Sequence, residues 1–141
     1  MADENQQQAQ RNLEAQGRMA EIVGAGEYDR LGEVLADGLV DHDPAPDQSD
    51  GPKGNGEFWQ TFKSAFPDVR LEPVQTIATE DYVVAILDVS GTHTGEFQGH
   101  APTNKRFTVR GIQVGRFADG KMTDRWGSTD VLGILQQLEL V

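Results

Sequence analysis

The chain has 141 residues, 37% hydrophobic and 25% charged, which is the make-up of one ordinary globular domain rather than a disordered segment. Twelve Lys and Arg stand against 23 Asp and Glu, and the resulting formal charge of −11 argues against non-specific nucleic-acid binding and against docking on an anionic membrane. Cysteine is absent, so disulfides, thiol nucleophiles and cysteine metal sites are excluded. The longest apolar run, Tyr82 to Leu87, is too short to span a bilayer. The first ten residues show neither a basic nor an apolar signal region, so a cytoplasmic protein is expected.

Residues 3–23 read as a helix with Ala9, Leu13, Ala20 and Val23 on one stripe, stopped by Gly24 and Gly26. A second short helix is expected over 28–36, from the spacing of Leu31, Val34 and Leu35. Residues 41–52 hold three of the six prolines among several aspartates and read as a loop. Asp50 is a candidate N-cap for a third helix that runs to about Phe66, burying Phe58, Trp59, Phe62 and Ala65 before Pro67. The period then changes. Segments 69–78, 82–93, 106–117 and 120–127 are rich in Val, Ile, Thr, Phe and Tyr, as strands are. Asp119-Gly120 marks a tight hairpin between the last two. Strand 82–90 is apolar on both parities, so both its faces should be covered. Residues 131–140 have helical spacing behind Asp130.

Helices first, then a meandering antiparallel sheet, then a short terminal helix predict an α+β fold over residues 1–141 as one domain. A twisted sheet curled around the N-terminal helices makes a cone with an internal cavity, the natural seat for a small molecule.

Three runs carry a resemblance: HTGEFQGHAPTNKRFTVRG (93–111), FADGKMTDRW (117–126) and DVLGILQQL (130–138). With GPKGNGEFWQTFKSAFPD (51–68), they resemble the SnoaL-like polyketide cyclase and ester cyclase group of the NTF2-like superfamily. The resemblance implies a cone-shaped fold and, where members are enzymes, ring closure by intramolecular aldol chemistry with no metal or cofactor. Aligned through Asp119-Gly120-Lys121, the group's acid/base Asp falls on Gly127 and its substrate-contacting His on Gln113. A further Gln falls on Gly111, and the Asp that opens the last helix falls on Asp130. His100 and Asn104 also depart from the usual pattern around the Pro-Thr turn. The Arg-x-Asp pair of the superfamily's epoxide hydrolases is absent, the corresponding run being Arg110-Gly111-Ile112.

Each candidate site residue has two readings. Asp130 is a general base with a pKa raised by an apolar cavity near Trp126, or an N-cap. Its place immediately before Val131-Leu132 favours the cap. His93 is a proton shuttle, or a structural imidazole holding the following loop. His42, between Asp41 and Asp43, reads as the start of a solvated loop, because a strand projects only alternate residues to one face and no second His cluster stands at ligand spacing. No metal is expected. On strand 106–117, Phe107, Val109, Gly111, Gln113, Gly115 and Phe117 share one parity and suit a concave inner face, leaving Arg110 outside. The expected pocket is shaped by Trp126, Phe107, Phe117 and Trp59, with Gln113 and Tyr28 as further polar contacts.

The sequence therefore predicts a cavity for a small, mostly apolar organic molecule. Acid/base chemistry of the cyclase, isomerase or hydratase type would need no cofactor. The alternative is a non-catalytic ligand binder or dimeric interaction module, because the cyclase acid/base position is Gly127. A homodimer burying the outer sheet face is expected, from the two-sided apolar strand 82–90.

Overall fold

The computed structural model describes residues 2–141. Helix α1 spans Ala2–Ala25 and is followed by a 3₁₀ turn at Tyr28–Glu33. Strand β1 is Leu35–Asp41, helix α2 is Gly51–Ala65, and strands β2 to β5 are Arg70–Ala78, Tyr82–Thr92, Arg106–Ala118 and Lys121–Thr129. Helix α3, Val131–Gln137, closes the chain. The sheet order is β1-β5-β4-β3-β2, antiparallel except for the parallel pair β1 and β5. This is the expected α+β architecture with a mainly antiparallel sheet. Among the described residues no helix is long and apolar enough to cross a membrane.

Two expectations are corrected. The second helix over 28–36 is one 3₁₀ turn that stops at Glu33, and Leu35 already belongs to a strand. That strand, β1, takes its register from β5, with Val40 opposite Asp124 and Asp41 opposite Arg125. Asp50 occupies the N-cap position of α2, but its side chain makes no capping bond.

Alternation along β4 sets the two faces of the sheet. Phe107, Val109, Gly111, Gln113, Gly115 and Phe117 are buried, and the residues between them are exposed apart from a half-buried Val114. On β3, Val83, Ala85 and Val89 point inward, while Val84 and Ile86 on the outer parity are only half-buried. The outer face is thus incompletely covered in the single chain. Inside, two apolar clusters form. One joins α1, the 3₁₀ turn, β1 and Phe117, and the other joins Phe62, Phe66, Phe97, Phe107 and α3. Trp59 packs against both.

Candidate functional site

Between the two clusters lies a cavity of about 310 Å³, near the lower end of the usual small-molecule range of about 300–1,000 Å³. Its walls are α1 (Leu13, Gln16, Met19, Ala20), α2 (Phe58, Trp59, Phe62) and the inner faces of β2 to β5. Period-3.6 stripes from the helices meet the period-2 inner face of the sheet, so most of the wall is aliphatic or aromatic.

One corner is polar. Gln113 on β4 is 8% exposed. Its Oε1 accepts from Arg125 Nε at 3.1 Å, and its Nε2 donates to Gln16 Oε1 at 3.4 Å. Because Arg125 offers only donors, the Gln113 amide is held with its oxygen toward the guanidinium. Arg125 Nη1 donates to both oxygens of Asp41, at 3.1 and 3.3 Å. Asp41 is held in turn by Gln48 Nε2 at 3.0 Å and the Asp43 backbone N–H at 3.0 Å. The Arg125 and Asp41 side chains are only 14% and 12% exposed. Arg125 Nη2 has no acceptor among the described residues.

Gly127 explains how a guanidinium fits there. Arg125, Gly127 and Thr129 share the inner parity of β5, and Gly127 pairs with Gln113 across the strands. A Cβ on Gly127 would stand 2.5 Å from Arg125 Nη2. The space that a side chain at this position would take is therefore filled by the Arg125 guanidinium. Neither Arg125 nor Asp41 was singled out from the sequence. The available signal was parity, since Gln113 facing inward carries its cross-strand neighbours with it.

The predicted site residues divide. Trp59 and Gln113 line the cavity. Phe107 and Phe117 do not; they are buried in the two flanking clusters. Trp126 is on the opposite face of the sheet, because it neighbours the inward Arg125 on β5. It stacks on His42 with centroids 4.4 Å apart and planes 2° from parallel. His42 Nε2 lies 3.0 Å from Asp124 Oδ2. That bond, together with the Thr123 hydroxyl, holds the Asp124 carboxyl below its ordinary value. Tyr28 lines a separate cleft with Lys63 and Glu72, and burial pushes its phenol above its ordinary value.

Asp130 caps α3: its Oδ1 accepts from Gly133 N–H at 2.8 Å, and the residue is exposed rather than turned into the cavity. His93 is fully buried, 0% exposed, beside Phe66. Its Nδ1 accepts from Thr103 N–H at 3.1 Å, which pins the loop after β3 and leaves the proton on Nε2. Neither residue reaches the cavity lining. The cavity is thus mostly apolar, with Gln16, Gln113, Arg125, Thr76 and Thr129 as its polar members and no carboxylate or imidazole among its lining residues.

Comparison with known proteins follows the same geometry. The profile of the SnoaL-like polyketide cyclase family matches residues 13–138. Aklanonic acid methyl ester cyclase DnrD of Streptomyces peucetius is 30% identical over 127 residues, covering 86% of each chain. The crystal structure of IdmH from Streptomyces antibioticus superposes with a TM-score of 0.77 at 25% identity, covering 91% of this chain and 98% of that one. A SnoaL-like chain from Jannaschia sp. CCS1 gives a TM-score of 0.83 at 20% identity over 94% of both, a likeness of fold.

Proposed function

The chain belongs to the SnoaL-like polyketide cyclase family, and from that membership we propose that its cavity encloses a small, mostly apolar organic molecule without the help of a cofactor. The observation that supports this is the 310 Å³ space walled by α1, α2 and the concave sheet, mostly apolar apart from the Gln113–Arg125 corner and the Thr76 and Thr129 hydroxyls. Holding is favoured over turnover by a specific feature of the lining. Its ionisable member is Arg125, a guanidinium that offers only hydrogen-bond donors. Asp130 and His93, the candidates for acid/base work, are occupied in a helix cap and a loop anchor.

The test uses Trp59, which lines the cavity, as its reporter. Trp126→Phe leaves Trp59 as the sole tryptophan. Naphthalene titrated into that variant is expected to change Trp59 emission saturably, and an unchanged emission would sink the cavity reading. Aklanonic acid methyl ester, the compound in the relative's name, is expected to be returned without ring closure on chromatography. Its cyclisation would instead favour the catalytic reading, of the cyclase, isomerase or hydratase type.

The domain is also read as a homodimer that covers the outer sheet face. Ile77, Tyr82 and Ile112 are 46%, 39% and 45% exposed there, around the half-buried Val84, Ile86 and Val114. Light scattering at micromolar concentration is expected to give twice the chain mass, and Ile112→Glu to give the single-chain mass. A wild-type protein that scatters as a single chain would overturn this.

A further inference from the structure

The polar corner of the cavity is built for one kind of ligand atom. Arg125 has three donor nitrogens in a fixed planar fork. Two are spent inside the protein, Nε on Gln113 and Nη1 on Asp41. The third, Nη2, stands over the bare backbone of Gly127 with no protein acceptor among the described residues. Gln113 cannot turn its oxygen toward a ligand, because that oxygen is taken by Arg125. What remains toward the cavity from this pair is N–H alone.

The charge balance narrows the choice further. Asp41 already neutralises the guanidinium at close range. Asp43, whose Oδ2 accepts from the Gly127 N–H at 2.9 Å, adds a second carboxylate nearby, but an exposed and solvent-screened one. With the guanidinium charge already balanced in this way, an acceptor oxygen need not arrive as an anion to be matched here. A carbonyl oxygen, or the oxygen of an enol or phenol that takes on charge only as its proton leaves, is well matched, because charge-assisted hydrogen bonds strengthen as that charge develops.

We propose that Arg125 is the specificity-determining residue of the cavity, its Nη2 donating to a carbonyl, enolate or phenolate oxygen on an otherwise apolar ring compound. The assignment rests on the cavity reading above and adds the head group to it. Gln113 and Asp41 act as positioning residues that aim the fork.

The test compares naphthalene with 2-naphthol, which differ by one hydroxyl, on the full-length protein. Burial in an apolar cavity alone pushes the ionisation of a phenol to higher pH. A donor aimed at its oxygen pulls the other way. Followed by absorption, 2-naphthol bound to the wild-type protein is expected to ionise at least about tenfold more readily than 2-naphthol bound to the variants below, where burial is the same, which is the ratio one hydrogen bond to a charged oxygen supplies. In Asp41→Asn/Arg125→Gln, which leaves no charge orphaned, this gain is expected to be lost, with naphthalene affinity measured in the same variant as the control for the cavity. Gly127→Ala keeps every member of the corner but pushes Nη2 aside, and is expected to lose the gain as well. If naphthalene binds and 2-naphthol ionises at the same pH in the wild-type protein and in both variants, the donor assignment is overturned and the cavity reading stands. If neither compound binds, the cavity reading falls and this assignment falls with it.

Discussion

Phe66→Ala is expected to lower the free energy of unfolding by about 3–5 kcal/mol, the usual cost of truncating a fully buried phenylalanine. Phe66 is 0% exposed and ends α2, where its N–H donates to the Phe62 carbonyl at 3.0 Å. Its ring lies 5.0 Å from Phe62, 4.9 Å from Phe97 and 4.7 Å from Phe107, at angles between tilted and edge-to-face. Such pairs add to simple area burial. The ring also borders His93, which anchors the loop after β3. Collapse of the site is hindered on the sheet side, since β3 already brings Gly91 close enough that a Cβ there would sit 3.0 Å from Phe66 Cβ. The hole left by truncation therefore stays largely open. Urea unfolding of the variant beside Phe66→Leu is the measurement. Leu keeps most of the volume and is expected to cost clearly less. A loss under about 1 kcal/mol for Ala would mean that the cluster relaxes around the hole.

The parts of this fold that could be read from the sequence are those whose patterns are local. The stripe on α1, the proline stop after Phe66, the alternation on β4 and the Asp119-Gly120 hairpin each announce themselves within a dozen residues. Strand β1 does not. Its run LADGLVD carries Asp and Gly on exposed positions, buries only Leu35 and Leu39, and is bulged between Leu35 and Val40. Its pairing partner is more than 80 residues away. A short strand held by a distant parallel neighbour has little local signature. The misplacement of Trp126 and the omission of Arg125 share one cause. A hydrophobic pattern puts Trp inside and Arg outside, but β5 does the reverse, and the inward arginine is sustained by a carboxylate from β1. Without β1, Asp41 looks like loop, and nothing near Arg125 in sequence neutralises it. The Gly127 departure was visible from the start. Its physical meaning, space over Gly127 filled by a side chain two residues away, needed the register of the strands.

Asp41→Ala is the second change with a large expected effect, about 3 kcal/mol of lost stability, at the lower end of the cost of orphaning one member of a buried pair. The pair is not fully dry, its side chains being 14% and 12% exposed, which is why the lower end applies. Removing Asp41 takes away both acceptors of Arg125 Nη1 and the acceptor of Gln48 Nε2. The guanidinium is left partly desolvated with only Gln113 as a partner. Coulomb attraction is not what the pair chiefly contributes, since much of it is repaid as desolvation; the penalty lies in the charge left behind. That distinction is measurable. Asp41→Asn/Arg125→Gln replaces the pair by two neutral polar groups, an Asn isosteric with Asp and a Gln shorter than Arg, and is expected to recover part of the loss. In a double-mutant cycle by urea unfolding built from Asp41→Asn, Arg125→Gln and the two together, Asp41→Asn alone should therefore be less stable than the double variant. If the double variant is the worse of the two, the attraction between the charges outweighs their desolvation. The corner would then stabilise the fold in its own right, rather than being a polar arrangement that the surrounding apolar core tolerates and that aims Arg125 Nη2.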